Sequence, residues 1–223
     1  MGAEPQWKCV TDPESRRPVF VAALVIIAGQ AWVARSLQLD PFWLFPAISS
    51  VLLVASIAVY EGRNEPGLPA RILSFALGGV LVVASATSLI LLGRGVFVGS
   101  NLAPPALLFS GLALWVVNVG VFALLFWELD GGGPEARADG YRDRYPDLVF
   151  PQQQADQQGL ASPTWKPGFY DYAYVSITSS IAFSPTDAMP YSKWAKLVMG
   201  IESLLSFAIL ALIVARAVNI AHG

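Results

Sequence analysis

The chain has 223 residues, with 14 Lys and Arg, 16 Asp and Glu, and a formal net charge of −2. Because nucleic-acid binding depends on neutralising phosphates with Lys and Arg, this balance argues against nucleic acid as a partner. Hydrophobic residues make up 55 % of the chain and charged residues only 13 %, a composition that excludes a soluble globular enzyme.

Cysteine and histidine are almost absent from the sequence. Cys9 is the only cysteine and His222 the only histidine, which excludes an intrachain disulfide and a multi-cysteine metal site. Without further histidines, zinc and haem sites lack their usual ligand and a Ser-His-Asp triad lacks its base. We therefore expect no catalytic residues, no metal and no cofactor, and do not expect an enzyme.

Five windows of 17 to 26 residues contain a single charged residue, Glu202. The windows are Pro18–Ala34, Phe42–Tyr60, Ile72–Leu92, Leu102–Trp127 and Leu197–Val214. A helix needs roughly 20 mostly apolar residues to cross about 30 Å of hydrocarbon. The windows therefore predict an all-α, polytopic transmembrane fold with five full spans.

The first four predicted helices follow residues 1–17, a polar N-terminal tail, and occupy residues 18–127. Asp40-Pro41 marks the turn after the first helix, and the run Asn64 to Gly67 separates the second from the third. Gln30 and Asn118 lie at membrane depth. We expect each of these two side chains to hydrogen-bond a neighbouring helix.

Residues 128–167 form a polar segment without apolar periodicity. Connections of this length are usually functional or disordered. Asp139, Asp143 and Asp147 alternate with Arg137, Arg142 and Arg144. This alternation predicts a solvated surface whose charges neutralise each other.

Residues 168–223 hold the most informative stretch. Gly168–Ser184 has 17 residues and includes Asp171 and several hydroxyl side chains, which makes it a poor membrane span. A short amphipathic helix over Asp171–Ala182 would rise about 18 Å, and Pro185 prevents its continuation. Non-helical backbone at membrane depth is tolerated only inside protein or beside water. The stretch therefore predicts a re-entrant helix followed by an inner helix.

The order of residues here also matches a known pattern. The matching residues are Asp187, Pro190, Ser192, Lys196, Glu202 and the pair Ala215-Arg216. Thr178, Ser179 and Ser180 lead into the filter-like region that precedes Asp187. Over about Tyr172–Arg216 the chain resembles the pore-loop and inner-helix module of tetrameric potassium channels. The stretch also looks like a group of uncharacterised small bacterial membrane proteins with a similar Phe-Ser-Pro-Thr-Asp pattern. The first resemblance implies a homotetramer with a pore on its axis.

The filter region departs from the potassium-channel pattern. Ala182-Phe183-Ser184-Pro185-Thr186 stands where that family has Thr-Val-Gly-Tyr-Gly, and without glycine the alternating left-handed backbone is disfavoured. The family's hinge glycine is replaced by Ser206. We expect no potassium selectivity, and a wider mouth formed by Ser184, Thr186 and Asp187.

Glu202 is the only charge inside a predicted span. Intramembrane carboxylates are costly unless paired or hydrated, and they often have functional roles. A structural role is the competing interpretation, in which Glu202 accepts hydrogen bonds from Ser179 or Ser180 behind the turn.

The transmembrane topology stays open at this point. Lys and Arg are more frequent on the side that carries the N-terminal tail, which would place residues 128–167 in the cytoplasm. A potassium-channel-like loop needs that segment outside. A sixth span over Gly168–Ser184 fits the charge distribution better but is short and polar.

The sequence thus predicts an ion-channel-like protein of the bacterial inner membrane, with lipid, inorganic ions and further copies of itself as partners. We expect passive conduction, of cations and without potassium selectivity, through a tetrameric pore lined by residues 184–187. One alternative is a non-conducting scaffold or partner subunit that docks through residues 128–167. Another is a small proton-coupled transporter that uses Glu202.

Overall fold

The computed structural model describes residues 9, 14–62, 67–97, 104–140, 145–155, 162, 164–184 and 187–221. Five helices in these ranges are long and apolar enough to cross a membrane. The only strands in the same ranges are two of two residues each. The prediction of an all-α fold with five spanning helices is therefore confirmed, and the chain is an integral membrane protein.

Each of the five long helices ends beyond the charge-free window that predicted it, and the first, third and fifth also begin before their windows. They are α1 (Arg17–Ser36), α2 (Leu44–Glu61), α3 (Gly67–Phe97), α4 (Pro104–Leu129) and α8 (Lys193–Ala221). The third window, Ile72–Leu92, is shorter than α3 at both ends. Helical hydrogen bonding does not stop where the apolar composition stops, so polar residues at the membrane surface continue the helices.

The chain divides into two compact units. One unit contains Phe20–Val121 and Leu204–Gly223 and holds an apolar core. The fully buried members of that core are Val33, Leu37, Leu92, Leu107, Leu114, Ile209 and Leu212. A Cβ atom at Gly120 would lie only 2.7 Å from Cγ1 of Ile26. Glycine at this position therefore lets α1 and α4 approach closely.

Buried polar side chains join helices within this unit. Gln30 of α1 donates to the carbonyl of Leu81 at 2.8 Å and lies 3.2 Å from Oγ of Ser85, both in α3. Asn118 of α4 donates to Oγ of Ser206 in α8 at 3.1 Å. The prediction that Gln30 and Asn118 bond neighbouring helices is confirmed. Helix α8 also continues without a break through Ser206.

The other unit contains Met1–Val19 and Phe122–Ser203. After α4 it includes a 3-10 turn (Asp130–Gly132), α5 (Pro134–Ala138), β1 (Leu148–Val149), α6 (Pro151–Ala155), α7 (Phe169–Ala182) and β2 (Met189–Pro190). Strands β1 and β2 pair antiparallel, with Leu148 opposite Pro190 and Val149 opposite Met189.

Several described residues of the polar segment are buried, which its composition does not suggest. Leu148, Phe150, Asp130 and Arg137 are all buried, so the prediction of a solvated, self-neutralising surface was wrong for Arg137. The residues fold back onto their own unit. Arg142, Asp143 and Arg144 lie outside the described residues.

Three consecutive glycines reverse the chain after α4. Gly131, Gly132 and Gly133 have φ values of 59°, 89° and 98°, in the region that side chains with a Cβ rarely occupy. This turn places the Asp130 carboxylate beside the backbone of Asp147 and Leu148, as described below.

Candidate functional site

Helix α7 is the short helix predicted as re-entrant. It has 14 residues and rises about 21 Å, less than the hydrocarbon thickness of about 30 Å. The Asp171 carboxylate caps its start by accepting the N–H of Gly168 at 2.8 Å. Its end is a left-handed Phe183 with φ 54°, whose N–H bonds the carbonyl of Ser179 at 3.0 Å.

The start of α7 is held by a buried carboxylate. The Tyr172 hydroxyl donates to Oδ2 of Asp130 at 2.6 Å. Oδ1 of Asp130 accepts the N–H groups of Asp147 at 2.8 Å and Leu148 at 2.9 Å. Tyr172 and Asp130 are fully buried. Three donors thus satisfy Asp130 and fix the first turn of α7 beside residues 147–148.

The start of α8 is held by the same segment. Oδ1 of Asp147 accepts the indole N–H of Trp194 at 2.7 Å, and Oδ2 accepts the N–H of Gly131 at 2.9 Å. The carbonyl of Asp147 also accepts the N–H of Tyr191 at 2.8 Å. Because α7 and α8 both begin beside this segment, α8 starts near the same end of α7 at which α7 itself starts.

Polar contacts join α7 and α8 further along both helices. The Ser176 hydroxyl donates to Oε1 of Glu202, and the hydroxyls of Ser179 and Ser203 lie 3.3 Å apart. Ser176, Ser179 and Glu202 are at most 1 % exposed. The two helices thus leave the same segment in the same general direction, with their polar faces together.

These contacts support one of the two predicted partners of Glu202 and add Ser176. Ser179, one of the two predicted donors, hydrogen-bonds the carboxyl, and Ser176, one turn earlier in α7, donates to its Oε1 atom. Ser180 was wrong as a donor, because its hydroxyl bonds the carbonyl of Ile177 at 2.9 Å within α7. Thr178 likewise bonds its own helix, at the carbonyl of Tyr174.

The turn after α7 is partly described. Ala182 is the last residue of α7, and Ala182, Phe183 and Ser184 are exposed. Asp187 is partly exposed, and its partial burial raises the pKa of its carboxyl. Pro185 and Thr186, predicted as part of the constriction, lie outside the described residues. Ser206 is buried against Asn118 in the other unit and is not part of the turn.

Arg137 is a buried cation that the sequence did not single out. Its Nε and Nη2 atoms lie 2.9 Å from Oε1 of Glu14, and Nη1 donates to the carbonyls of Trp127 and Asp130 at 2.8 Å. Burial alone would lower the pKa of Arg137, but the neighbouring acids Tyr172, Glu14 and Asp130 raise it above its usual value. Arg137 therefore stays charged.

A second arginine binds the N-terminal segment to the same region. Nη2 of Arg16 lies 2.6 Å from Oε1 of Glu135, and Nη1 lies 3.5 Å from Oε2 of Glu128. Its guanidinium carbon is 5.1 Å from the ring centre of Trp127. The available sequence signal was the pair Glu14 and Arg16 beside the first span, but charge pairing across more than 100 residues cannot be read from a pattern.

Metal binding finds no support in the ranges that the structure describes. They contain no group of three or more His, Cys, Asp and Glu side chains placed to hold an ion. The carboxylates of Asp130 and Asp147 are occupied by backbone and side-chain donors. The arrangement orients two helices.

Comparison with known proteins gives no family. No protein-family model matches the chain, and neither a curated protein nor a solved structure matches it.

Proposed function

We propose that this chain forms an ion-conducting pore in the bacterial inner membrane, with α7 as a re-entrant helix and α8 as the inner helix. The observation that carries the proposal is the shared origin of α7 and α8 beside Asp147 and Asp130. Such an arrangement is suited to lining a pore: one helix enters the membrane, the chain returns, and a second helix crosses.

The expected ion preference follows from the residues between α7 and α8. Ser184 is exposed and Asp187 partly exposed, and neither position 184 nor position 186 is glycine. Without glycine the backbone is poorly suited to a stack of inward carbonyls, so side chains provide the coordinating oxygens. An acidic ring at Asp187 favours cations over anions. The activity proposed is passive cation conduction without potassium selectivity.

One subunit is insufficient to enclose such a pore. A single re-entrant helix and a single inner helix cover only part of the perimeter, so the pore requires several copies around an axis. By its resemblance to tetrameric channels, we propose a homotetramer. The exposed apolar side chains of α7 and α8 suit contact with lipid or with neighbouring copies, among them Tyr174, Ile177, Ile181, Leu197 and Ile201.

The test is a current measurement on purified protein in planar bilayers under a salt gradient. Wild-type protein should pass current with a reversal potential that reports cation preference. Asp187→Asn should move the reversal potential toward zero, because it removes the acidic ring. Asp139→Asn is the matched control, since Asp139 is exposed and does not lie between α7 and α8. This change should leave the cation preference unchanged.

Acidification offers a second measurement on the same preparation. Because partial burial raises the pKa of Asp187, protonation should begin to weaken the cation preference at a higher pH than it would for a fully exposed aspartate. Asp187→Asn should lack this dependence. Bilayers that stay silent at several voltages, or an Asp187→Asn channel identical to wild type, would overturn the proposal.

A further inference from the structure

Glu202 and Asp130 are two fully buried carboxyls with different surroundings. Asp130 accepts three hydrogen bonds and lies beside the cation Arg137. Glu202 accepts a hydrogen bond from Ser176 on its Oε1 atom and interacts with the Ser179 hydroxyl, while its Oε2 atom has no hydrogen-bond partner among the described residues. A negative charge therefore has a nearby cation at Asp130, whereas at Glu202 the neighbours are hydroxyl groups.

No cation compensates Glu202 in the described part of the chain. The ion pairs found there belong to Arg16 and Arg137, with Glu14, Glu128 and Glu135. The groups of α7 that face Glu202 are the hydroxyls of Ser176 and Ser179, which carry no charge. On α8 itself, Lys193 and Lys196 are exposed near the helix start.

Two further ionisable groups of α7 have other partners. Asp171 caps the start of α7 through the N–H of Gly168, and the Tyr172 hydroxyl is bound to Asp130. An isolated ionised carboxylate in such surroundings costs several kcal/mol or more, so it takes up a proton instead. A neutral carboxyl needs no counter-ion.

We infer that Glu202 is a proton-binding site between α7 and α8, occupied by a proton at neutral pH. The bound proton allows the polar faces of the two helices to remain in contact. Its loss leaves an uncompensated charge against Ser176 and loosens α7 from α8. The inference rests on the α7–α8 contact and holds whether or not the protein conducts ions.

The linkage gives the direction of the pH effect. An exposed glutamate is ionised at neutral pH, so the folded chain binds this proton and the unfolded chain does not. Stability falls with rising pH wherever the folded state binds more protons than the unfolded state. The contribution of Glu202 should therefore be present at neutral pH and decline under alkaline conditions.

Infrared difference spectroscopy measures the protonation state directly. The spectrum of wild-type protein minus that of Glu202→Gln at neutral pH should contain the C=O stretch of a protonated carboxylic acid. Glu61→Gln is the matched control, because Glu61 is exposed at the end of α2, and its difference spectrum should contain carboxylate bands. Carboxylate bands for Glu202 at neutral pH would overturn the inference.

Thermal denaturation in detergent tests the consequence for stability. The Tm of wild-type protein should fall by several degrees between neutral and alkaline pH, and the Tm of Glu202→Gln should change less, because glutamine is neutral throughout. If Glu202→Gln does not fold, the alkaline loss of the acid C=O band in wild-type protein replaces this comparison.

The choice of salt separates a proton from a metal cation. Both measurements should be the same in sodium chloride and in choline chloride. A carboxylate band at neutral pH that appears only with sodium would identify a cation site and overturn the proton site. Equal pH dependence of the Tm in wild type and Glu202→Gln would overturn it as well.

Discussion

Single residues decide how the polar part of this protein is held together. Arg137 contacts Glu14 and two backbone carbonyls at 2.8 to 2.9 Å, and its guanidinium lies 5.0 Å from the ring centre of Tyr172. Asp130 connects the same tyrosine to the backbone of residues 147–148. One cation and one carboxylate thus connect the N-terminal segment, the end of α4 and the start of α7.

Replacing Arg137 by alanine should therefore destabilise the protein strongly. Removing one partner of a buried ion pair leaves the other charge uncompensated, and typical losses are about 3–5 kcal/mol. The free energy of unfolding in mixed micelles measures the effect. Arg17→Ala is the matched control, because Arg17 is exposed, and it should change the value by less than about 0.5 kcal/mol. Equal effects of the two changes would contradict this role of Arg137.

At the scale of elements, the proposed function depends on the arrangement of α7 and α8. Helix α7 is short, and the start of each helix is bound to the segment that follows α4. A sixth span would separate the start of α8 from the start of α7 by the thickness of the membrane. The pairing of β1 with β2 and the bond from Tyr191 to Asp147 favour re-entry over that alternative.

Cysteine labelling can distinguish re-entry from a sixth span. With Cys9→Ser as background, Tyr145→Cys and Tyr191→Cys should react with a membrane-impermeant maleimide from the same side of the membrane. Both positions are exposed, at 90 % and 63 %. Phe97→Cys, at the exposed end of α3, should react from the opposite side and serves as the control. Labelling of Tyr145→Cys and Tyr191→Cys from opposite sides would establish the sixth span.

At the scale of the whole molecule, five spanning helices leave many large apolar side chains uncovered. Those of α8 include Leu197, Leu204 and Phe207, each at least 59 % exposed. Lipid tails solvate such side chains as well as protein does, so exposure alone does not require an oligomer. An oligomer is required by the proposed pore, because a single copy does not enclose it.

Native mass measurement in a mild detergent tests the proposed assembly. We expect a mass of four chains, because the proposed pore is formed by equivalent copies around an axis. Dilution at constant detergent concentration should leave this mass unchanged if the assembly is specific. A stable monomer under these conditions would remove the geometric basis of the pore.

The sequence by itself determined the membrane character, the five spans and the existence of a short polar helix near the C-terminus. These properties depend on composition and length, which are local and can be read from charge-free windows and from Pro185. It also predicted that Gln30 and Asn118 would bond other helices, because buried polar groups in membranes need partners.

Only the tertiary structure decided which groups meet. The buried role of Arg137, the three donors of Asp130 and the bond from Ser176 to Glu202 join residues far apart in sequence. The composition of residues 128–167 is compatible both with a solvated loop and with a folded segment that holds the starts of α7 and α8. The physical reason is that burial of a charge depends on the partners that the fold brings to it, and no local pattern specifies those partners.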